Sequence, residues 1–334
     1  QNQSWGRPWR LLATRPERLI SLYGKQKLWQ QALHVLRDAP DKPSIIVCNA
    51  AIGACKRAHQ WQRALDLLAR VKRDRLRPDV FTYSTLIGAC ERRGSLPLEL
   101  LREMEAAAVA PDVVTYGALI VASGRAERWQ QALGFLAGAL PRRLAPDVAL
   151  FGAALAACEA SGQWEVALGL LVDLRRCGLQ PNALACGAAV SACEKGGRWE
   201  EALRLFSTMW RRGPRPDVIV LNAAVSACEK GGRWEWALHL LGEMPALRLR
   251  PDAITFSAVA LACQSVGRWD LALALVCESA AARLQADTTS HGAALMECEQ
   301  RGLLWSEASL LGQLEGSGLR SAAGHAAALR LLPA

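Results

Sequence analysis

The sequence is poor in most things that would announce a membrane span or a chemistry. Although 51% of its 334 residues are hydrophobic, no uninterrupted apolar run is long enough for a transmembrane helix, and no membrane insertion is expected. Tyr, Phe and Met number only 3, 5 and 4. The five histidines, His34, His59, His239, His291 and His325, have no Cys, Asp or Glu neighbour at a catalytic or metal-ligand spacing. There is no Gly-rich phosphate loop and no H-x-E paired with C-x-x-C. We expect no metal, no cofactor and no enzymatic activity. The 11 cysteines are odd in number, include no C-x-x-C pair and are spread along the chain. That argues against a disulfide framework or a zinc site and for a reducing compartment.

What is abundant is tryptophan, at 12 residues, and its placement is periodic. Trp129, Trp164, Trp199, Trp234 and Trp269 fall 35 residues apart, and Pro146, Pro181, Pro216 and Pro251 keep the same interval. Residues 188–200 and 223–235 are identical, both reading AAVSACEKGGRWE. Counted from just after the Pro-Asp pair, repeats span 45–79, 80–112, 113–147, 148–182, 183–217, 218–252, 253–287 and a degenerate 288–322. Residues 13–44 read as a shortened N-terminal repeat, 323–334 as a truncated C-terminal helix, and 1–12 as a linker or the remnant of a transit peptide.

Each repeat predicts a helical hairpin. Its last residue, except Ala322 of the degenerate repeat, is Asp or Asn, a good N-cap for the next helix. An apolar first helix such as VIVLNAAVSACEK follows, then Gly at the fifteenth residue (Gly94, Gly162, Gly197, Gly232, Gly267, Gly302), which permits the positive φ of a tight turn. The second helix opens at the Trp and ends rich in Arg, which suits the negative end of the helix dipole. One hairpin cannot bury its own apolar surface, so hairpins must stack into a common core. The recurring Ala at the twentieth residue and Cys at the eleventh read as small packing groups in that core.

PDVVTYGALI at 111–120, the Gly turn and the following R-W-x-x-A-L resemble the pentatricopeptide repeat family, in its plain 35-residue class, over about residues 45–322. The tetratricopeptide repeat is the nearest competitor, but its Trp lies in the first helix. The resemblance implies an all-α, right-handed α-solenoid of eight to nine repeats. It also implies a monomer that binds single-stranded RNA in a plastid or mitochondrion, one nucleotide per repeat, with protein partners compatible with that role. The fifth residue and the last residue of each repeat would read the base. The second would sandwich it between neighbouring repeats.

Carried onto this sequence, the reading pairs are Asn49 with Asp79, Ser84 with Asp112, Gly117 with Asp147, Gly152 with Asn182, Gly187 with Asp217, Asn222 with Asp252 and Ser257 with Asp287. Asn with Asp implies U and Ser with Asp implies G. The glycine repeats are left with weak preferences for G, A and G. The chemistry is consistent, because a carboxylate only accepts hydrogen bonds and matches the imino N–H of U or G, whereas an amide also donates and suits A or C. The same Asp and Asn residues are equally explained as N-caps. Asn, Ser and Gly at the fifth residue of Ala-rich helices are poor choices for helix stability, which points to another demand.

The sandwiching residues would be Ile46, Phe81, Val114, Leu184, Ile219 and Ile254, and spacing alone explains them equally well as core. Arg57, Arg92, Arg125, Lys195 and Lys230, at the thirteenth residue, are candidates for phosphate contact, in keeping with the net charge of +9. Cation placement at a helix C-terminus is the other explanation. Arg128, Arg198, Arg233 and Arg268, just before the Trp, would either join the phosphate contacts or cover the Trp ring. Two other functions are open. One is an α-solenoid scaffold for protein–protein interaction, and the other is a segment of a longer protein bearing a nuclease or editing domain.

Overall fold

The first helix of each hairpin starts where its N-cap allows. Asp79, Asp112, Asp147, Asn182, Asp217 and Asp252 each accept a hydrogen bond from the backbone N–H three residues on, at 2.8–2.9 Å. Ser44 does the same for Val47 at 3.5 Å. In this computed structural model, which describes residues 16–38, 43–139 and 147–281, sixteen helices follow one another and no strand occurs among the described residues. The protein is an all-α helical solenoid.

We number the helices in chain order. Those of the N-terminal hairpin are α1 (Pro16–Lys25) and α2 (Trp29–Asp38). The later first helices are α3 (Ile45–Arg57), α5 (Val80–Ala89), α7 (Val113–Arg125), α9 (Val148–Ala160), α11 (Ala183–Lys195), α13 (Val218–Lys230) and α15 (Ala253–Ser265). Their second helices are α4 (Trp61–Arg73), α6 (Leu96–Ala106), α8 (Trp129–Ala139), α10 (Trp164–Arg176), α12 (Trp199–Arg212), α14 (Trp234–Glu243) and α16 (Trp269–Ala281). The helices divide into two segments, Gln1–Ser161 and Gly162–Ala334. Within the first, α1, α3, α5, α7 and α9 pack in succession, and within the second α11, α13 and α15 do. The second helices α4, α8, α12 and α14 each pack against their own first helix and the next one.

The core of each segment is made of small and branched side chains. Ala64, Ala132, Ala167, Ala202, Ala237 and Ala272 are fully buried, as are Cys55, Cys90, Cys158, Cys193, Cys228 and Cys263. Burial pushes these thiols up, to about 11 for Cys193 and about 12 for Cys228, so they stay protonated and inert. No cluster able to hold a metal occurs among the described residues. No described helix is long and apolar enough to cross a membrane.

The turn between the two helices explains the doubled glycine of KGGRW. A Cβ on Gly231 would fall 2.5 Å from Cδ1 of Trp199, the head of the preceding repeat's second helix. Gly232 then takes φ +64°. Arg198, Arg233 and Arg268 lie over the rings of Trp164, Trp199 and Trp234, at 4.6–4.8 Å from the centroids. The Trp therefore packs under the next repeat's turn, and these three arginines cover its ring. Arg93 does the same for Trp61 at 4.7 Å.

Candidate nucleic-acid interface

The second residue of the first helix faces solvent. Ile46, Phe81 and Val114 in the first segment, and Leu184, Ile219 and Ile254 in the second, are 60% to 76% exposed. Core packing is thereby ruled out for them. They supply six of the twelve large apolar side chains that are exposed among the described residues. A large apolar side chain kept in water at the same place in six repeats requires an explanation outside the fold.

Beside this residue, the fifth and last residues meet in two repeats with the same geometry. Asn49 Nδ2 donates to both carboxylate oxygens of Asp79, at 3.1 and 3.2 Å. Asn222 Nδ2 donates to those of Asp252, at 3.1 and 3.3 Å. A threonine completes each set: Thr82 Oγ1 lies 2.6 Å from Asn49 Oδ1, and Thr255 Oγ1 lies 2.6 Å from Asn222 Oδ1. Desolvation raises the Asp79 carboxyl, but hydrogen bonds from the Thr82 hydroxyl, the Thr82 amide and Asn49 outweigh it and hold Asp79 below its ordinary 3.8. At neutral pH it is an anionic acceptor, partly satisfied and still open to solvent. Ile46, Asn49, Gly53, Arg57, Asp79 and Phe81, with Glu17 and Ser21 of α1, line a cavity of about 430 Å³. Two large apolar side chains, an amide, a hydroxyl, two carboxylates and an exposed guanidinium thus line one space.

The sequence profile described as "PPR repeat family" matches residues 43–92, and the one described as "PPR repeat" matches 185–214 and 219–249. A mitochondrial pentatricopeptide repeat-containing protein of Arabidopsis thaliana is 36% identical over 72 residues, which is 22% of this chain and 11% of that protein. The crystal structure of the pentatricopeptide repeat protein PPR10 from maize superposes with a TM-score of 0.67 at 26% identity, over 94% of this chain and 47% of that one. Residues 43–92, 185–214 and 219–249 are thus pentatricopeptide repeats. PPR10 in complex with an 18-nt psaJ RNA element gives a TM-score of 0.72 at 18% identity, over 94% of this chain and 49% of that one, a likeness of fold alone. The chain spans less than half the length of either relative.

The other repeats arrange these positions differently. The Ser84 hydroxyl donates to the Phe81 carbonyl of its own helix at 3.2 Å, and Asp112 caps α7 together with Thr115. Asp147 and Asp217 cap their helices opposite Gly117 and Gly187, which offer no side chain. Asn182 caps α11 and Ser257 is half-buried on α15, while Gly152 lies in the first segment and Asn182 in the second. Asp287 lies outside the described residues.

The thirteenth-residue cations divide. Arg57 is exposed at the cavity of Asn49. Arg125 pairs with Glu91 of the preceding repeat at 3.2 Å, and Lys230 with Glu194 of the preceding repeat at 2.9 Å, where Ser226 also donates to Glu194. Lys230 thereby ties α13 to α11, and Arg125 ties α7 to the turn that follows α5. Arg92 and Arg125 line a second cavity of about 430 Å³ with Glu91, and Lys195 is exposed at the end of α11. The residues that sequence reading overlooked are Thr82 and Thr255, although D-x-x-T before an apolar run carries the signature of a capping box.

Proposed function

We propose that this chain binds single-stranded RNA, one nucleotide per repeat, with the base held between second residues of successive repeats and read by the fifth and last residues. The carrying observation is the pair of identical Asn–Asp sets, each beside an exposed apolar second residue. An exposed apolar side chain offers contact to the face of a nucleobase, and an amide with a carboxylate offers hydrogen bonds to its edge. A peptide-binding groove would account for the apolar residues but not for the repeated amide–carboxylate pair. Arg57, with Arg92 and Lys195, would meet the phosphates. We assign binding rather than chemistry to the described repeats. We place it in an organelle, acting in RNA processing, stability or translation, since the Arabidopsis relative is named as mitochondrial.

The test is binding of the chain to short RNAs carrying U, G, any three bases, U and G in repeat order, against scrambled strands, over a range of salt. We expect preference for the ordered strand and an affinity that falls with salt. Equal affinity for all strands would remove the base reading, and no binding would remove the function. Asn222→Ser should move the sixth repeat from U toward G, at a cost on U of about 1 kcal/mol, below that of a bidentate duplex contact.

A further inference from the structure

We infer that the third residue of the following repeat decides whether a repeat reads its base, acting as a positioning residue on the fifth. This rests on the base-reading function proposed above.

Behind both asparagines stands a threonine at that place. Thr82 Oγ1 is 2.6 Å from Asn49 Oδ1 and 2.8 Å from Asp79 Oδ1, and Thr255 repeats this at 2.6 and 2.9 Å. The hydroxyl has one proton, held between the two acceptors, with the shorter contact to the amide oxygen. An asparagine turned over by 180° would set its NH₂ against the hydroxyl and its oxygen against the carboxylate. The carboxylate, which can only accept, selects the observed orientation, and in that orientation the amide oxygen is left facing the hydroxyl. When a base draws on the carboxylate, the threonine still holds the amide. Its own position is fixed independently, because its backbone N–H donates to the same Asp in the helix cap.

Behind two of the glycines stands an apolar residue instead. A Cβ built on Gly187 would fall 2.9 Å from Val220 Cγ2, and one on Gly117 would fall 3.8 Å from Leu150 Cδ2. Val220 thus reaches the space that a side chain at Gly187 would need, whereas Leu150 would meet one at Gly117 in ordinary contact. Thr goes with a hydrogen-bonding reader in both segments, and Val or Leu goes with a glycine in both. The fifth repeat already has Asp217 as its cap, so among the fifth, last and following third residues only Gly187 and Val220 separate it from the sixth.

The test uses the whole chain and pairs of short RNAs differing only at the base opposite one repeat. Thr255→Val keeps the shape and the backbone cap but removes the hydroxyl. We expect it to lower the U-over-C preference at the sixth repeat by about fivefold, the worth of one hydrogen bond. Thr255→Ser should restore the preference, which a loss of packing alone would not allow. In the fifth repeat, Gly187→Asn together with Val220→Thr should create a U preference that Gly187→Asn alone does not. An unchanged preference in Thr255→Val, with Asn222→Ser still altering it, would overturn the inference while leaving the base reading intact. A wild-type chain indifferent to U and C at this position would overturn both.

Discussion

The first and sixth repeats carry Asn49 and Asn222 where the third and fifth carry Gly117 and Gly187, and the difference extends beyond that side chain. In the asparagine repeats the last residue serves two purposes, accepting from the amide of the next helix and from the Asn side chain. In the glycine repeats it only caps. The last residue, Asp or Asn, is therefore a cap in each of the first six repeats and, in the proposed reading, serves recognition as well in some. Explanations by N-cap and by the proposed base reading do not compete, because the cap uses one carboxylate oxygen while the other accepts from the Asn side chain alone.

The comparison breaks most visibly at the carboxylate. Asp79→Ala and Asp147→Ala should each lose about 1 kcal/mol of stability in thermal or chemical unfolding, the usual worth of an N-cap. Only Asp79→Ala should also abolish the U preference at its base. Equal effects on RNA binding would mean that glycine repeats read as strongly as asparagine ones. The Asp79 contribution has a pH signature: its folded pKa lies below the ordinary 3.8, so the stabilisation is complete above that value and is lost as the pH falls through the lower folded value. The stability gap between wild type and Asp79→Ala should narrow accordingly in acid.

At the second residue the two kinds of repeat should behave alike. Leu184→Ala, at the head of a glycine repeat, and Ile254→Ala, which follows an asparagine repeat, remove exposed apolar surface. Stability should change by less than about 0.5 kcal/mol, as is usual at the surface. RNA affinity should fall in both by roughly 1 kcal/mol, at the lower end of what one stacked base contributes. A loss confined to Ile254→Ala would show that glycine repeats do not hold a base at all.

The hairpins were legible because their signals are local and redundant: Pro-Asp caps, Gly turns and the Trp heading the second helix all repeat at one period. The burial of the eleventh-residue Cys followed from the same period. The second residues were ambiguous, since a three-residue spacing puts them on the stripe of the fifth without saying whether that stripe meets protein or solvent. The ion pairs of Arg125 and Lys230 were hidden because their partners, Glu91 and Glu194, lie a whole repeat away. Thr82 and Thr255 were visible only as capping residues, and their contact with the fifth residue depends on how successive first helices pack.

The two asparagine repeats also differ from each other, at the turn. The sixth passes from α13 to α14 through Gly232 at φ +64°, whereas the first passes from α3 to α4 through His59 at φ +57°. The backbone takes the left-handed conformation in both, yet Asn49 and Asn222 end in the same geometry. The turn is therefore set by the hairpin and not by the residue, and the imidazole is held there against its preference. Left-handed backbone costs a non-glycine residue about 1–2 kcal/mol, partly offset by the extra freedom that glycine has when unfolded. His59→Gly should accordingly raise stability by roughly 0.5–1 kcal/mol, read as a higher unfolding midpoint, and leave the U preference at the first repeat unchanged. A change in that preference would show that the turn, and not the Asp–Thr cap, positions Asn49.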